Sequence, residues 1–469
     1  MHLTTDLDQL NNLLEKVKTQ SVFYLQHIAH RPTTTNFSTA IIEQLHAEGI
    51  GTAKTLQQFN ERFEKTMVAS SGPRYWGFVT GGTTPAAIVG DWLATIYDQN
   101  TQSVKGQGDI SAIIEKEAIN LLLDLFELPP EFLGGFVTGA TMSNFTCLAV
   151  ARQWLGKQLG RDFAKEGVSP SDIKIFSATP HSSVVKSLSM LGMGSSNFIK
   201  IKTVDGNREA IDVDDLKSKI EQLNGQPFIL ISSAGTVNTV DFDDLNSIAT
   251  LKEQYNFFWH IDAAFGGFAA CSPMHKHLLH GWQHADSIAI DCHKWLNVPY
   301  ENAFWLIKEK HRLQQVETFQ NSNAPYLGDP LENFNYLNFL PENSRRLKAL
   351  PVWFTLTAYG KNGYQSIVEN CIAMANLLGQ FIQQHQCLEL LAPVRLNTVC
   401  FTLKGETNQD KVQTLLTSIN DTGKVFMTPT VYNGRKAIRA AFVNWQTSAN
   451  DITIATTVIT KAAEQLLNK

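Results

Sequence analysis

Cysteine is scarce. The 469-residue chain carries six, at positions 147, 271, 292, 371, 387 and 400, and no two stand as Cys-x-x-Cys. Neither a disulfide framework nor a zinc site is indicated. A basic excess is also missing, since 39 Lys and Arg against 44 Asp and Glu leave a net charge of −5. Nucleic-acid binders normally show a basic stripe, so no nucleic-acid partner is expected. No segment approaches the ~18 consecutive apolar residues of a membrane span. No early basic-then-apolar stretch with a small-residue cleavage site is present, so a cytoplasmic protein with no membrane partner is expected. His-Glu-x-x-His, the Rossmann Gly-x-Gly-x-x-Gly and the Walker Gly-Lys-Ser/Thr are all absent. His275, His277, His280 and His284 crowd together with no interleaved carboxylate, and no metal is expected.

What is present is ordinary in amount and informative in order. Hydrophobic residues make up 43% and charged residues 18%, the mixture of a soluble globular chain whose length calls for two or three structural units. Residues from about 5 to 66 read mostly as helix, with Leu7, Leu10, Leu13, Leu14 and Val17, then Phe59, Phe63 and Met67, at helical spacing. From residue 173 onward, apolar runs and helical patterns alternate. Ile173–Ser177, Phe198–Lys202, Phe228–Ser232, Phe257–Ile261 and Ser287–Ile290 read as strands, with helices at 184–191, 213–223 and 245–255 between the first four. That rhythm predicts a mostly parallel sheet with helices on both faces. Ligands in such sheets sit at the carboxyl ends of the strands. His181, the segment from Ser233 to Thr236, Asp262 and Lys294 all fall at such ends.

Two glycine-rich stretches precede the alternation. Ser71 to Gly82 is an aromatic-laden loop running into a helix at 86–97. Gly134 to Asn144 opens a helical stretch read at 145–155, and small residues at a helix start let backbone N–H groups close on a phosphate. The stretch from Asn321 to Leu340 is polar, broken by proline and patternless, and a loop that long in a compact protein is usually functional or disordered.

The segment Ser287 to Trp295 reads Ser-x-x-x-Asp-x-His-Lys-Trp, and His260-Ile261-Asp262-Ala263-Ala264 lies upstream. Together they resemble the Schiff-base lysine segment of the group II pyridoxal-phosphate-dependent amino-acid decarboxylases, a family that includes the aromatic-L-amino-acid decarboxylases. The resemblance implies an α/β fold of PLP fold type I. It would comprise a helical arm at 1–70 for dimer contacts, a large cofactor domain at 71–354 and a small α+β domain at 355–469. It implies a homodimer, with an amino acid as substrate and pyridoxal 5'-phosphate as cofactor.

It also distributes roles. Lys294 would hold the cofactor as an imine and Asp262 would keep the ring nitrogen protonated. His181 would stack on the ring, and Thr236 would meet the ring oxygen. Ala140, Thr141 and Met142 inherit the phosphate cup; Thr80, Ala264, Asp291 and His293 complete the cofactor contacts, His293 on the phosphate or in proton transfer. Position 291 departs from the family, because several relatives carry asparagine there and proline where this chain has Cys292. Trp76, Phe78 and Tyr97 would wall the entrance, which favours an aromatic substrate, although relatives also use glutamate and diaminobutyrate. Tyr336 stands eight residues before Ser344-Arg345-Arg346. At that spacing family decarboxylases carry the tyrosine that returns a proton to carbon, where related aldehyde synthases tend to have phenylalanine. Arg439 can be read as a substrate-carboxylate anchor, as in some aminotransferases. An aminotransferase, an aldehyde-forming oxidative deaminase and a non-enzymatic cofactor-binding scaffold remain as rivals.

Overall fold

Seven strands form the larger sheet of the computed structural model: β1 (Phe132–Val137), β2 (Ile175–Ser177), β3 (Phe198–Lys200), β4 (Phe228–Ser233), β5 (Phe257–Asp262), β6 (Ser287–Asp291) and β7 (Ala303–Lys308). The structure describes residues 2–35, 44–45, 47–102, 110–320, 331, 334–406 and 409–467. The strand order is β1-β7-β6-β5-β4-β2-β3. β7 runs antiparallel to both its neighbours, and the pairs from β3 to β6 are parallel. The middle strands are buried along their whole length, as a sheet covered on both faces requires. Two of these strands are not among those expected from the sequence: β1, which lies inside the glycine-rich stretch, and β7.

The first helices are α1 (His2–Asp8), α2 (Leu10–His27) and α3 (Thr52–Arg62), followed by α4 (Pro85–Tyr97), α5 (Ser111–Leu125) and α6 (Ala140–Gln158). α6 starts five residues before the expected position, directly after β1, and is buried along most of its length. Leu13 is the only buried residue of α2, and Leu3, Leu7, Leu10, Leu14, Val17, Val22 and Phe23 are exposed. The expected helical reading of the segment between α2 and α3 falls partly on 36–43 and 46, outside the described residues.

A second sheet of four antiparallel strands follows, ordered β10-β11-β9-β8, from β8 (Leu388–Leu390), β9 (Thr398–Leu403), β10 (Thr428–Tyr432) and β11 (Arg435–Ala441). The long helix Ala349–Gln384 joins the two halves and breaks at Gly360, whose φ of 56° is left-handed. The expected division at 354/355 therefore falls inside a helix.

Candidate active site

The parallel strands deliver their carboxyl ends to one cavity of about 560 Å³. His181, Thr236, Asp262, Ala264 and Lys294 all line it. Roomier surface grooves lie elsewhere, including one of about 820 Å³ beside Asp243 and His280, but neither the strand-end lysine nor Asp262 opens into it.

Lys294 sits in the turn between β6 and β7. The N–H groups of Cys292 and His293 both donate to Asn302 O at 3.0 Å, which pins that turn. Its side chain is largely buried, the ammonium 2.8 Å from Asp291 Oδ2 and 5.6 Å from the centre of the Phe265 ring. The loop before α4 presses on its backbone: a Cβ at Gly81 would lie 1.9 Å from Lys294 O, so only glycine fits. Two residues of the same loop that line the cavity, Phe78 and Val79, take left-handed φ of 56° and 58°. Such backbone is costly for a β-branched residue and gathers at functional sites.

Asp262 closes β5 and is 7% exposed. One carboxylate oxygen accepts from Ala264 N–H at 3.2 Å and the other from Asn144 Nδ2 at 3.2 Å. Behind it runs a buried chain of hydrogen bonds. Asn144 Nδ2 also donates to Ser183 Oγ at 3.1 Å, and His260 Nε2 donates to Asn144 Oδ1 at 2.8 Å. His260 Nδ1 in turn pairs with Ser287 Oγ at 2.8 Å. Burial lowers the His260 pKa to about 4, so the ring is neutral and orients its neighbours without adding charge.

His181 caps the helix Ser182–Met190 and faces the cavity. Its Nδ1 accepts from Ser183 N–H at 3.2 Å and pairs with Ser183 Oγ at 2.7 Å. A backbone N–H can only donate, so the neutral ring carries its proton on Nε2. Burial holds its pKa below the usual histidine value, against the pull of the Asp262 charge.

The remaining expected residues divide. Thr236 lines the cavity, but its hydroxyl donates to Glu209 Oε2 at 2.6 Å, as does that of Thr239. Ala140, Thr141 and Met142 form the first turn of α6, where Ala140 N–H donates to Asp291 Oδ1 at 2.6 Å. His293 stacks on Tyr300 with ring centres 4.2 Å apart, and burial lowers its pKa. Thr80 Oγ1 accepts from Tyr300 O–H at 3.4 Å. Thr80 and His293 flank the cavity wall, next in sequence to Val79 and Lys294.

Three expectations need correction. Trp76 is a core residue, its ring 4.5 Å from Phe442 and its N–H bonded to Pro73 O. Tyr97 is exposed at the end of α4 and does not line the cavity. Tyr336, expected on an open polar loop, is fully buried in a short 3-10 turn against β1. Its hydroxyl donates to Gly134 O at 3.3 Å, and the Arg345 guanidinium lies 4.6 Å over its ring. Arg345 is itself held bidentate by Glu115 at 2.8 and 3.1 Å, so this arginine of the Ser-Arg-Arg motif turns inward over the tyrosine, while Arg346 pairs with Asp91 nearer the surface. Residues 321–330, 332 and 333 of the same expected loop lie outside the described residues.

Glu209 and Arg439 also line the cavity. Glu209 is not among the expected site residues, because it belongs to no strand end; only its tertiary approach to Thr236 and Thr239 reveals it. Arg439 reaches in from β11 of the smaller sheet and donates to Val237 O at 3.2 Å. Its Nε is buried without a hydrogen-bond partner among the described residues.

Residues 45–404 match the family described as the pyridoxal-dependent decarboxylase conserved domain. Among characterised proteins, an aromatic-L-amino-acid decarboxylase of Bacillus atrophaeus is 26% identical, over 92% of this chain and 90% of its own length. A phenylacetaldehyde synthase of Petunia hybrida is also 26% identical, over 84% of this chain and 81% of its own. Among solved structures, a Catharanthus roseus tryptophan decarboxylase in complex with L-tryptophan superposes with a TM-score of 0.86 at 20% identity, covering 98% of each chain.

Proposed function

The chain belongs to the pyridoxal-dependent decarboxylases, of fold type I and dependent on pyridoxal 5'-phosphate, and we propose that it decarboxylates an aromatic L-amino acid to the amine and CO2. One observation carries the reading: Asp262, at the end of β5, and Lys294, in the turn that follows the adjacent strand β6, open into the same cavity as His181.

The residues present fit the cofactor by the chemistry of their donors. A buried carboxylate held by two N–H groups suits a protonated ring nitrogen, and a neutral imidazole suits the ring face. Lys294 would hold the cofactor through its amine, Asp262 at the ring nitrogen, His181 against the ring, and the first turn of α6 at the phosphate. Bound there, the cofactor supplies an electron sink for the pair left when the Cα–carboxylate bond breaks. Asn144, itself oriented by His260, fixes the Asp262 carboxylate, so that the charge is preorganised rather than recruited. Phe78, Val79 and Phe265 give the cavity its apolar wall.

Support for an aromatic substrate comes from that wall and from the relatives named for aromatic amino acids. A second reading, an acidic or diamino substrate, draws on Arg439 and Glu209 in the same cavity. A screen of the twenty amino acids for CO2 and amine decides between them. Turnover confined to tyrosine, tryptophan and phenylalanine supports the first, and turnover confined to acidic substrates overturns it.

The further reading is of a cytoplasmic homodimer, in which the arm at 1–70 packs on a second copy beside the units at 71–354 and 355–469. The apolar side chains left exposed on α1 and α2 support it. Light scattering should give twice the chain mass, and deletion of the arm should lower it to one.

A further inference from the structure

A carboxylate of the chain itself holds the start of α6, the place where the sequence leads one to expect a phosphate. Asp291 closes β6, its side chain 3% exposed, with two donors and an imidazole nitrogen around it. Ala140 N–H at the start of α6 lies 2.6 Å from Oδ1, His293 Nε2 lies 3.5 Å from the same oxygen, and the Lys294 ammonium lies 2.8 Å from Oδ2. Its own N–H is tied to Ala264 O at 2.9 Å, so the residue is anchored in place. A helix start, an imidazole and an ammonium around one point are the components of an anion site.

The first turn of α6 has little else to give. The N–H groups of Met142 and Ser143 turn back to Gly139 O at 2.9 and 3.0 Å. That leaves Ala140 and Thr141 to serve an anion from outside, and Asp291 already holds Ala140. A phosphate arriving here must take the Ala140 N–H from Asp291 or sit beside its negative charge, and either weakens its hold.

We infer that Asp291 competes with the cofactor's phosphate for the start of α6, so that the chain holds its cofactor less tightly than a neutral residue at 291 would allow. The inference rests on the reading of the cavity as the cofactor site, and it makes Asp291 a positioning residue that acts against binding.

The test compares pyridoxal 5'-phosphate with pyridoxal, which lacks the phosphate, on apoprotein of wild type and Asp291→Asn. Dissociation constants are taken from absorbance titrations, and inorganic phosphate is added alone in thermal-shift measurements. In Asp291→Asn, the preference for pyridoxal 5'-phosphate over pyridoxal should rise at least about tenfold, the worth of one charge-assisted contact. Inorganic phosphate should raise the melting temperature of the variant more than that of wild type. Asp291→Ser also removes the charge and serves if the asparagine variant does not fold. An unchanged or smaller preference in the variant, with wild type still binding pyridoxal 5'-phosphate, overturns the inference and leaves the function standing. Failure of wild-type protein to bind either form of the cofactor overturns the function itself.

Discussion

Replacing Tyr336 by phenylalanine separates a packed tyrosine from a proton donor. In the structure the phenol is fully buried and, among the described residues, makes one long hydrogen bond, 3.3 Å to Gly134 O. Burial holds its pKa far above the usual phenol value, so it keeps its proton. Losing a neutral bond of this kind costs about 1 kcal/mol of stability. The phenylalanine ring keeps the edge contact with Phe334, 4.8 Å between centres, and its place beneath the Arg345 guanidinium. Tyr336→Ala would instead open a cavity under the buried Arg345–Glu115 pair and cost about 3–5 kcal/mol. Urea unfolding gives the stabilities, and parallel assays of amine, aldehyde and hydrogen peroxide give the product ratio. The expected result for Tyr336→Phe is a small loss of stability with the amine-to-aldehyde ratio unchanged. A rise in aldehyde and peroxide at unchanged unfolding midpoint would refute the packing role and return the phenol to the reacting carbon.

Two further perturbations probe the machinery around Asp262. Asp262→Asn should retain much of the cofactor but lose about 10²-fold or more in kcat, ~3 kcal/mol of barrier, because a neutral amide cannot hold the ring nitrogen protonated; steady-state amine release checks it, and near-wild-type turnover would remove Asp262 from the mechanism. His260, with a folded pKa of about 4 against ~6.5 when unfolded, leaves the unfolded chain binding more protons between those values. Stability should therefore fall as pH drops through that window, with His260 contributing at most ~1.4 kcal/mol per pH unit. His181, His293 and His311 are shifted the same way. Denaturant midpoints from pH 7 to 4 should show a shallower slope in His260→Gln, and an unchanged slope would mean the ring titrates normally.

The alternation from β2 to β6 is legible in the sequence because each strand is a run of β-branched and aromatic residues cut off by polar ones. Those cut-off points place His181, Asp262 and Lys294 at one end of the sheet before any contact is known. β1 hides because Gly134 and Gly135 stand at its centre, and glycine is depleted in strands. The fold needs them there: a Cβ at Gly134 would lie 2.8 Å from Ile119 and one at Gly135 2.9 Å from Trp305. β7 is simply apolar, which periodicity alone cannot tell from buried helix. Tyr336 misleads because asparagines interrupt its apolar neighbours Phe334, Leu337, Phe339 and Leu340. The phenol packs inward beneath Arg345, which bonds to Glu115 from α5 and to Phe136 O of β1. Glu209 and the contacts of Asp291 depend on side chains meeting across elements, which spacing along the chain does not record.

Borohydride reduction of the purified, cofactor-loaded protein, followed by proteolysis and mass spectrometry, asks directly which residue carries the cofactor. The pyridoxyl mass should be found on the peptide containing Lys294 and nowhere else, and Lys294→Ala should yield none. A modified lysine at any other position, or a trapped cofactor in Lys294→Ala, would contradict the site built from β5, β6 and His181.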